Sequence, residues 1–295
     1  MKKNQIINNK DYVIVKGILL KYKSKSPFAE IPEGVISIGQ EAFAYSEITS
    51  VSIPDTVTRI EERAFYHCGN LFEIELPNSI EFIGREAFSG CWMIEDITLP
   101  TRLSRIENEA FSYTGINDLQ IPEGVTSIGK NAFEWCSKLK HINLPDSLQE
   151  VDWRAFYHCR ELENVTFPKS LCSIGQEAFC GCEKLEDTNG FIVINGILTQ
   201  YGGKDTTVII PEGVKIINPG VFYSNRQISQ IILPDSVETI CESAFADCTN
   251  LSSINISDSV KSIDQSAFWN CKSLADENGF IIFNDTMFGY YTPDK

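Results

Sequence analysis

One pattern recurs through most of this chain, and it leaves few folds open. A single unit reads Leu71-x-x-Ile74-x-Leu76-Pro77-x-x-Ile80-x-x-Ile83-Gly84-x-x-Ala87-Phe88-x-x-Cys91. Its proline recurs at Pro32, Pro54, Pro77, Pro100, Pro122, Pro145, Pro168, Pro211 and Pro234, and a tenth unit has Ser257 in that place. Its phenylalanine recurs ten times, at Phe43, Phe65, Phe88, Phe111, Phe133, Phe156, Phe179, Phe222, Phe245 and Phe268. Successive spacings are 22 or 23 residues except for one of 43, which is one repeat of 23 plus an insertion of 20. No unit this short can bury its apolar face alone. Stacked units can, so the period itself calls for a solenoid.

Each column of the repeat has a physical reading. Ile74 and Leu76 alternate with polar residues, the period of a strand with one buried face. Proline then ends the ladder because it has no N–H to donate, and Pro32-Glu33-Gly34 is turn chemistry. Ile80 and Ile83 return the chain over the core. Residues such as Asp152 and Asn218 follow as helix N-caps. A helical turn would then drop Ala87, Phe88 and Cys91 inward. The expected fold class is an α/β repeat solenoid: a rod of ten units of 22–23 residues, with short strands and short helical turns.

The strand segment matches L-x-x-L-x-L, but the Pro turn stands where an Asn or Cys ladder would follow. In this form, over roughly residues 28–274, the chain closely resembles the BspA-like leucine-rich repeat family. The resemblance implies a bacterial or protozoan surface protein, of a kind often implicated in adhesion to host proteins or to other microbes.

Composition narrows the function classes. With 40 acidic and 25 basic side chains the net charge is −15. The one dense basic patch is Lys16, Lys21, Lys23 and Lys25. Nucleic-acid binding needs clustered cations that release counterions, so it is not expected. No apolar run approaches the ~20 residues of a membrane helix, so no membrane insertion is expected either. Met1-Lys2-Lys3 is followed by Asn4-Gln5-Ile6-Ile7-Asn8-Asn9, with no apolar h-region, so no signal peptide is legible. A surface location rests on the resemblance alone. No nucleophile elbow, phosphate loop or dinucleotide glycine pattern occurs, and the acidic residues form no unique pair. The chain does not read as an enzyme, and no cofactor is expected.

Seven of the ten cysteines (Cys68, Cys91, Cys136, Cys159, Cys182, Cys248 and Cys271) share the column three residues after the phenylalanine. Ser46 and Thr114 fill it elsewhere. A column that accepts Ser, Thr or Cys reads as small buried side chains, with the cysteines as thiols. Cys180-Gly181-Cys182 is the only close pair and does not make a zinc site, so no metal is expected. His67-Cys68 and His158-Cys159 are neighbours on a turn, with Cys in and His out.

Two exposed columns are candidate binding surfaces. The strand face, expected to line the concavity, presents Ser52, Glu75, Thr98, Gln120, Asn143, Thr166, Ile232 and Asn255. It is either a solvated sheet face or a broad polar contact for a protein or glycan. The second column, two residues after each phenylalanine, presents Tyr45, His67, Tyr113, Trp135 and His158, with Gly90 as a gap. These rings either contact a ligand or pack laterally between turns.

Three segments also share one hairpin pattern, as insertions in the rod: Tyr12–Tyr22, Phe191–Tyr201 and Phe280–Tyr290. Asn195-Gly196 is the strongest short hairpin signal among them. From the last Tyr to the next repeat proline is 10 residues in both earlier copies, Tyr22 to Pro32 and Tyr201 to Pro211. The third copy would lead to a rung beyond Lys295, so this hairpin is expected either to fold over the open end of the core or to mark the cut of a longer array, which would self-associate end to end through an uncovered edge. The second copy should bulge from the rod.

The layout is then a single solenoid over 1–295: an N-terminal hairpin cap (1–27), repeats one to seven (28–187), a hairpin insertion (188–207), repeats eight to ten (208–274) and a C-terminal hairpin (275–295). The expected function is a non-enzymatic binding module, a surface adhesin or host-interaction protein. The alternatives are a structural spacer and an intracellular interaction scaffold.

Overall fold

The computed structural model describes residues 6–283 and 285–291. Asn284, which falls in the third hairpin pattern of the sequence, lies outside the described residues, as do the residues before Ile6 and after Tyr291. The chain forms two compact units: Met1–Ile174 with Ala178–Leu185, and Gly175–Glu177 with Glu186–Lys295. Each is a solenoid of stacked turns, about eleven in all across the chain.

A turn of the coil carries two short strands. The one before the proline pairs in parallel with its neighbours, as in Phe28–Glu30, Ser50–Ser52 and Glu73–Ile74. The same sheet reappears as Asp118–Gln120 with His141–Asn143, and in the second unit as Thr207–Ile209, Gln230–Ile232 and Ser253–Ile254. The second strand follows the proline turn, as in Ser37–Ile38, Arg59–Ile60 and Phe82–Ile83. Every parallel pairing between repeats sets equivalent positions side by side, so a column in the sequence is a ladder in space.

The third side of the coil corrects the expectation of helical turns. Among the described residues the only helical segments are two short 3-10 turns, Glu183–Leu185 and Lys272–Leu274. Instead, left-handed residues stand two positions before and two positions after most of the phenylalanines. Arg63 (φ 57°) and His67 (φ 54°) flank Phe65, and Glu109 (φ 58°) and Tyr113 (φ 57°) flank Phe111. A helix cannot pass through such residues. The hydrogen bonds alternate as well. Ala64, Tyr66 and Cys68 donate N–H groups to carbonyls three residues back, while Arg63, Phe65 and His67 donate to Arg85, Ala87 and Ser89 of the next turn. Left-handed non-glycine residues cost about 1 kcal/mol each. The bonds between turns and the buried ring between them offset that cost.

Those rings form the core. From Phe43 to Phe179 successive phenylalanines stack with centroids 4.9–5.7 Å apart and planes within 14°. Phe222, Phe245 and Phe268 do the same in the second unit. All are essentially inaccessible to solvent.

The cysteine column is bound to this stack. Each thiol donates to the carbonyl of the phenylalanine in the preceding turn: Cys68 to Phe43, Cys136 to Phe111, Cys159 to Phe133 and Cys248 to Phe222, at 3.0–3.1 Å. A column of small hydrophobes would leave that second carbonyl lone pair unmet. Burial pushes the Cys136 thiol up to about 11 and the Cys248 and Cys271 thiols up to about 12.

The segments Tyr12–Val15 and Ile18–Tyr22 pair antiparallel, as do Phe191–Ile194 with Ile197–Tyr201 and Phe280–Phe283 with Thr286–Tyr290, all with the same register shift. Asn195 (φ 51°) and Gly196 (φ 81°) give the two positive φ values of a type I′ turn. The second pair does not bulge. Ile197 and Leu198 pair in parallel with Ile216 and Ile217, so the hairpin enters the second sheet. Its Tyr201 packs on Phe222, just as Tyr22 stacks on Phe43.

Replacing Phe133, fully buried between Phe111 and Phe156, by alanine should destabilise the chain by about 3–5 kcal/mol in urea titration. A loss below about 1 kcal/mol would deny the stack its role. Alkylation of the native protein should reach exposed Cys172 first, then half-buried Cys241, and the column only on unfolding. The Cys136, Cys248 and Cys271 thiols ionise more easily unfolded than folded, so their share of stability is whole below about pH 8.5 and falls as pH rises toward 11–12. Stability that rises over that range would contradict the buried assignment.

Candidate functional site

All eight strand-face residues, from Ser52 to Asn255, are exposed, as their alternation requires. The ladder beneath them is uneven. In the first unit Asp96–Leu99 makes no backbone hydrogen bond among the described residues, and the first-sheet strands are interrupted there. A groove of about 490 Å³ opens at this interruption, lined by Asp96, Thr98, Asp118, Gln120, His141 and Asn143 over a floor of Ile97, Leu99 and Leu119. Three expected residues, Thr98, Gln120 and Asn143, are thus brought together. Gln120 and Asn143 are register partners. Their neighbours Asp118 and His141 are joined by a 2.6 Å bond at Nδ1, and His141 Nε2 lies 3.8 Å from Glu163. In the second unit Ile232 pairs with Ile209, an apolar step, while the Asn255 side chain bonds both the N–H and the carbonyl of Leu233. Ser52 and Glu75 line the Ser50–Glu75 stretch of the same face.

The ring column is packed on itself. Tyr45 stacks on His67 (5.6 Å, 11°), Tyr113 on Trp135 (6.5 Å, 13°) and Trp135 on His158 (4.3 Å, 28°). Tyr66 and Tyr157 meet the histidines edge-on, and Arg160 lies over Trp135. All five column residues are left-handed. The gaps have a cause: a Cβ on Gly90 would stand 2.8 Å from His67 Nδ1, and one on Gly181 2.5 Å from His158 Nδ1. Each glycine makes room for the imidazole of the turn before it. Burial, with Arg160 nearby, pulls the His158 imidazole down, and its Nδ1 is buried without a hydrogen-bond partner.

A charged column escaped the sequence reading. The buried Glu86 carboxylate accepts from Arg63 (Nε to Oε2 2.8 Å) and Arg85 (Nε to Oε1 2.9 Å), and Arg85 continues to Glu109. The signal was the alternation Glu41, Arg63, Glu86 two residues before each phenylalanine. No group of three or more His, Cys, Asp or Glu side chains placed to hold a metal occurs among the described residues.

Six copies of the BspA type leucine rich repeat region match residues 21–139, 104–191 and 200–286. The chain belongs to that family. Among solved structures it is similar to a leucine rich cell surface protein from Faecalibacterium prausnitzii A2-165, at 29% identity over 93% of this chain and 80% of that one (TM-score 0.61). It is also similar to a leucine-rich repeat protein from Bacteroides ovatus ATCC 8483, at 25% identity over 93% and 92% (TM-score 0.54). The pneumococcal vaccine antigen PcpA shares the fold at 18% identity over 93% and 81% (TM-score 0.51). No curated protein matches the chain.

If the ring column is lateral packing, Trp135→Ala should lower stability by about 1–2 kcal/mol in urea titration. Tyr45→Ala, at a ring 70% exposed, should cost less than about 0.5 kcal/mol. Equal, negligible losses at both would make the rings a free surface.

Proposed function

We propose that this chain is a non-enzymatic binding module of the surface-antigen type, which takes a protein or glycan ligand on its exposed strand face. The observation that carries this reading is the groove over Asp96–Leu99. There the ladder is open, and Thr98, Gln120, Asn143 and the Asp118–His141 pair turn hydrogen-bonding groups outward over an apolar floor. Ligand sites combine such a floor with a few placed polar groups. The printed description of the Faecalibacterium relative, a cell surface protein, supports placing this chain at a bacterial surface. In this reading the hairpin pairs punctuate the solenoid, and the first closes its N-terminal core.

The spacer reading is favoured by one observation: the rings of the second column are stacked on each other, which leaves few faces for a ligand. The two readings separate experimentally. The purified chain should be screened against matrix proteins and a glycan array, alongside Thr98→Arg and Asn143→Arg variants. A binding module should retain a ligand that either variant weakens at least about tenfold, with the urea midpoint unchanged. Absence of any ligand, or binding indifferent to both variants, would favour the spacer.

A further inference from the structure

The two compact units begin their first sheets with equivalent edge strands, Phe28–Glu30 and Thr207–Ile209, and the two edges are finished differently. In the first unit Thr49 N–H donates to Pro27 and Ile31 N–H donates to Ser52, so alternate groups face the next strand and those of Phe28 and Glu30 face out. Three of the four groups in that outer row are capped by side chains. The Ser26 hydroxyl accepts from Phe28 N–H (3.2 Å) and donates to Phe28 O (2.8 Å), and the Tyr12 hydroxyl donates to Glu30 O (2.6 Å).

In the second unit the equivalent of Tyr12 is Phe191, and the equivalent of Ser26 is Asp205. Phenylalanine has no hydroxyl. A carboxylate cannot donate to the carbonyl of Thr207, and the Asp205 side chain takes no hydrogen bond from the Thr207 N–H. Ser229 N–H donates to Thr206 and Ile210 N–H donates to Ile232, so Thr207 and Ile209 point their N–H and C=O groups outward. No hydrogen bond among the described residues reaches them. A groove of about 480 Å³ runs beside this edge, between the strand and the base of the second hairpin. Its lining includes the acids Asp187, Asp205 and Glu212, and no lysine or arginine. Ile209 is 64% exposed there, with Ile232 beside it on the same face.

We propose that the Thr207–Ile209 edge is a strand-addition site for an extended partner segment bearing lysine or arginine. Main-chain groups of Thr207 and Ile209 would pair with the incoming strand, the three carboxylates would hold its cations, and Ile209 and Ile232 would pack against its apolar side chains. An unpaired edge is an invitation to another chain. This chain protects one such edge with two hydroxyls and leaves its copy bare. The site is separate from the groove over Asp96–Leu99 and does not depend on it.

The test uses the full chain and a capped heptapeptide of alternating lysine and valine, with its glutamate–valine counterpart and a version N-methylated at alternate amides as controls. The lysine–valine peptide should bind, and amide exchange at Thr207 and Ile209 should slow while exchange at Phe28 and Glu30 does not. Phe191→Tyr restores one cap without changing charge, and with Asp205→Ser it rebuilds the first unit's arrangement. These should weaken binding at least about tenfold, given one to three lost backbone bonds, and leave the urea midpoint at or above that of the parent. Ile209→Pro, which removes one outward donor, serves as an independent variant. The proposal is overturned if the lysine–valine peptide does not bind, or if it binds equally well when N-methylated. Equal binding of the glutamate–valine peptide, or indifference to all three substitutions, overturns it too. Slowing of exchange at Thr207 and Ile209 with protein concentration alone would assign the edge to a second copy and overturn the partner assignment.

Discussion

The turns of this protein are joined to their neighbours by backbone hydrogen bonds. Around the phenylalanines, Phe43 N–H meets the carbonyl of Ala64 and Phe65 N–H meets that of Ala87. Only a strict period keeps donor opposite acceptor, which is why the spacing holds at 22 or 23 residues. The same constraint forces left-handed residues beside every phenylalanine, because alternate N–H groups must point along the stack rather than back into their own turn. The ring stack, the thiol column and the charged column all inherit their spacing from this ladder.

The thiol column shows how a side chain is selected by that backbone. A phenylalanine carbonyl already accepts the N–H three residues ahead, as Phe65 does from Cys68. The thiol of the next turn reaches the same oxygen, Cys91 to Phe65 at 3.1 Å. Serine at position 46 and threonine at 114 carry donors as well, and each lies beside a column cysteine, Cys68 and Cys136. The column therefore wants a small donor rather than a small hydrophobe.

The periodic columns were legible in the sequence because each repeats with one burial state, and ten copies leave no choice of inside and outside. The turn ladder was not. Left-handed positions are ordinarily marked by glycine or asparagine, whereas here Glu41, Arg63, Tyr113 and Trp135 occupy them. Backbone bonds to the next turn impose the conformation, and no local propensity announces it. On the candidate surfaces, exposure was legible but packing was not. The ring column was visible as a column, while the stacking of Trp135 on His158 depends on side-chain directions that a left-handed backbone sets. The unequal edges at Glu30 and Ile209 could be found only with the hairpin register in place, since Tyr12 and Glu30 are far apart in the chain and adjacent in space.

Residue-resolved native-state hydrogen exchange tests the ladder most directly. The amides of Phe65, Phe88, Phe111, Phe133 and Phe156 donate between turns and lie beside the ring stack, so they should fall in the slowest-exchanging group. Those of Asp96–Leu99, which have no backbone partner among the described residues, should exchange fast. Rapid exchange at the phenylalanine amides, with Asp96–Leu99 protected, would contradict a fold held together by bonds between successive turns.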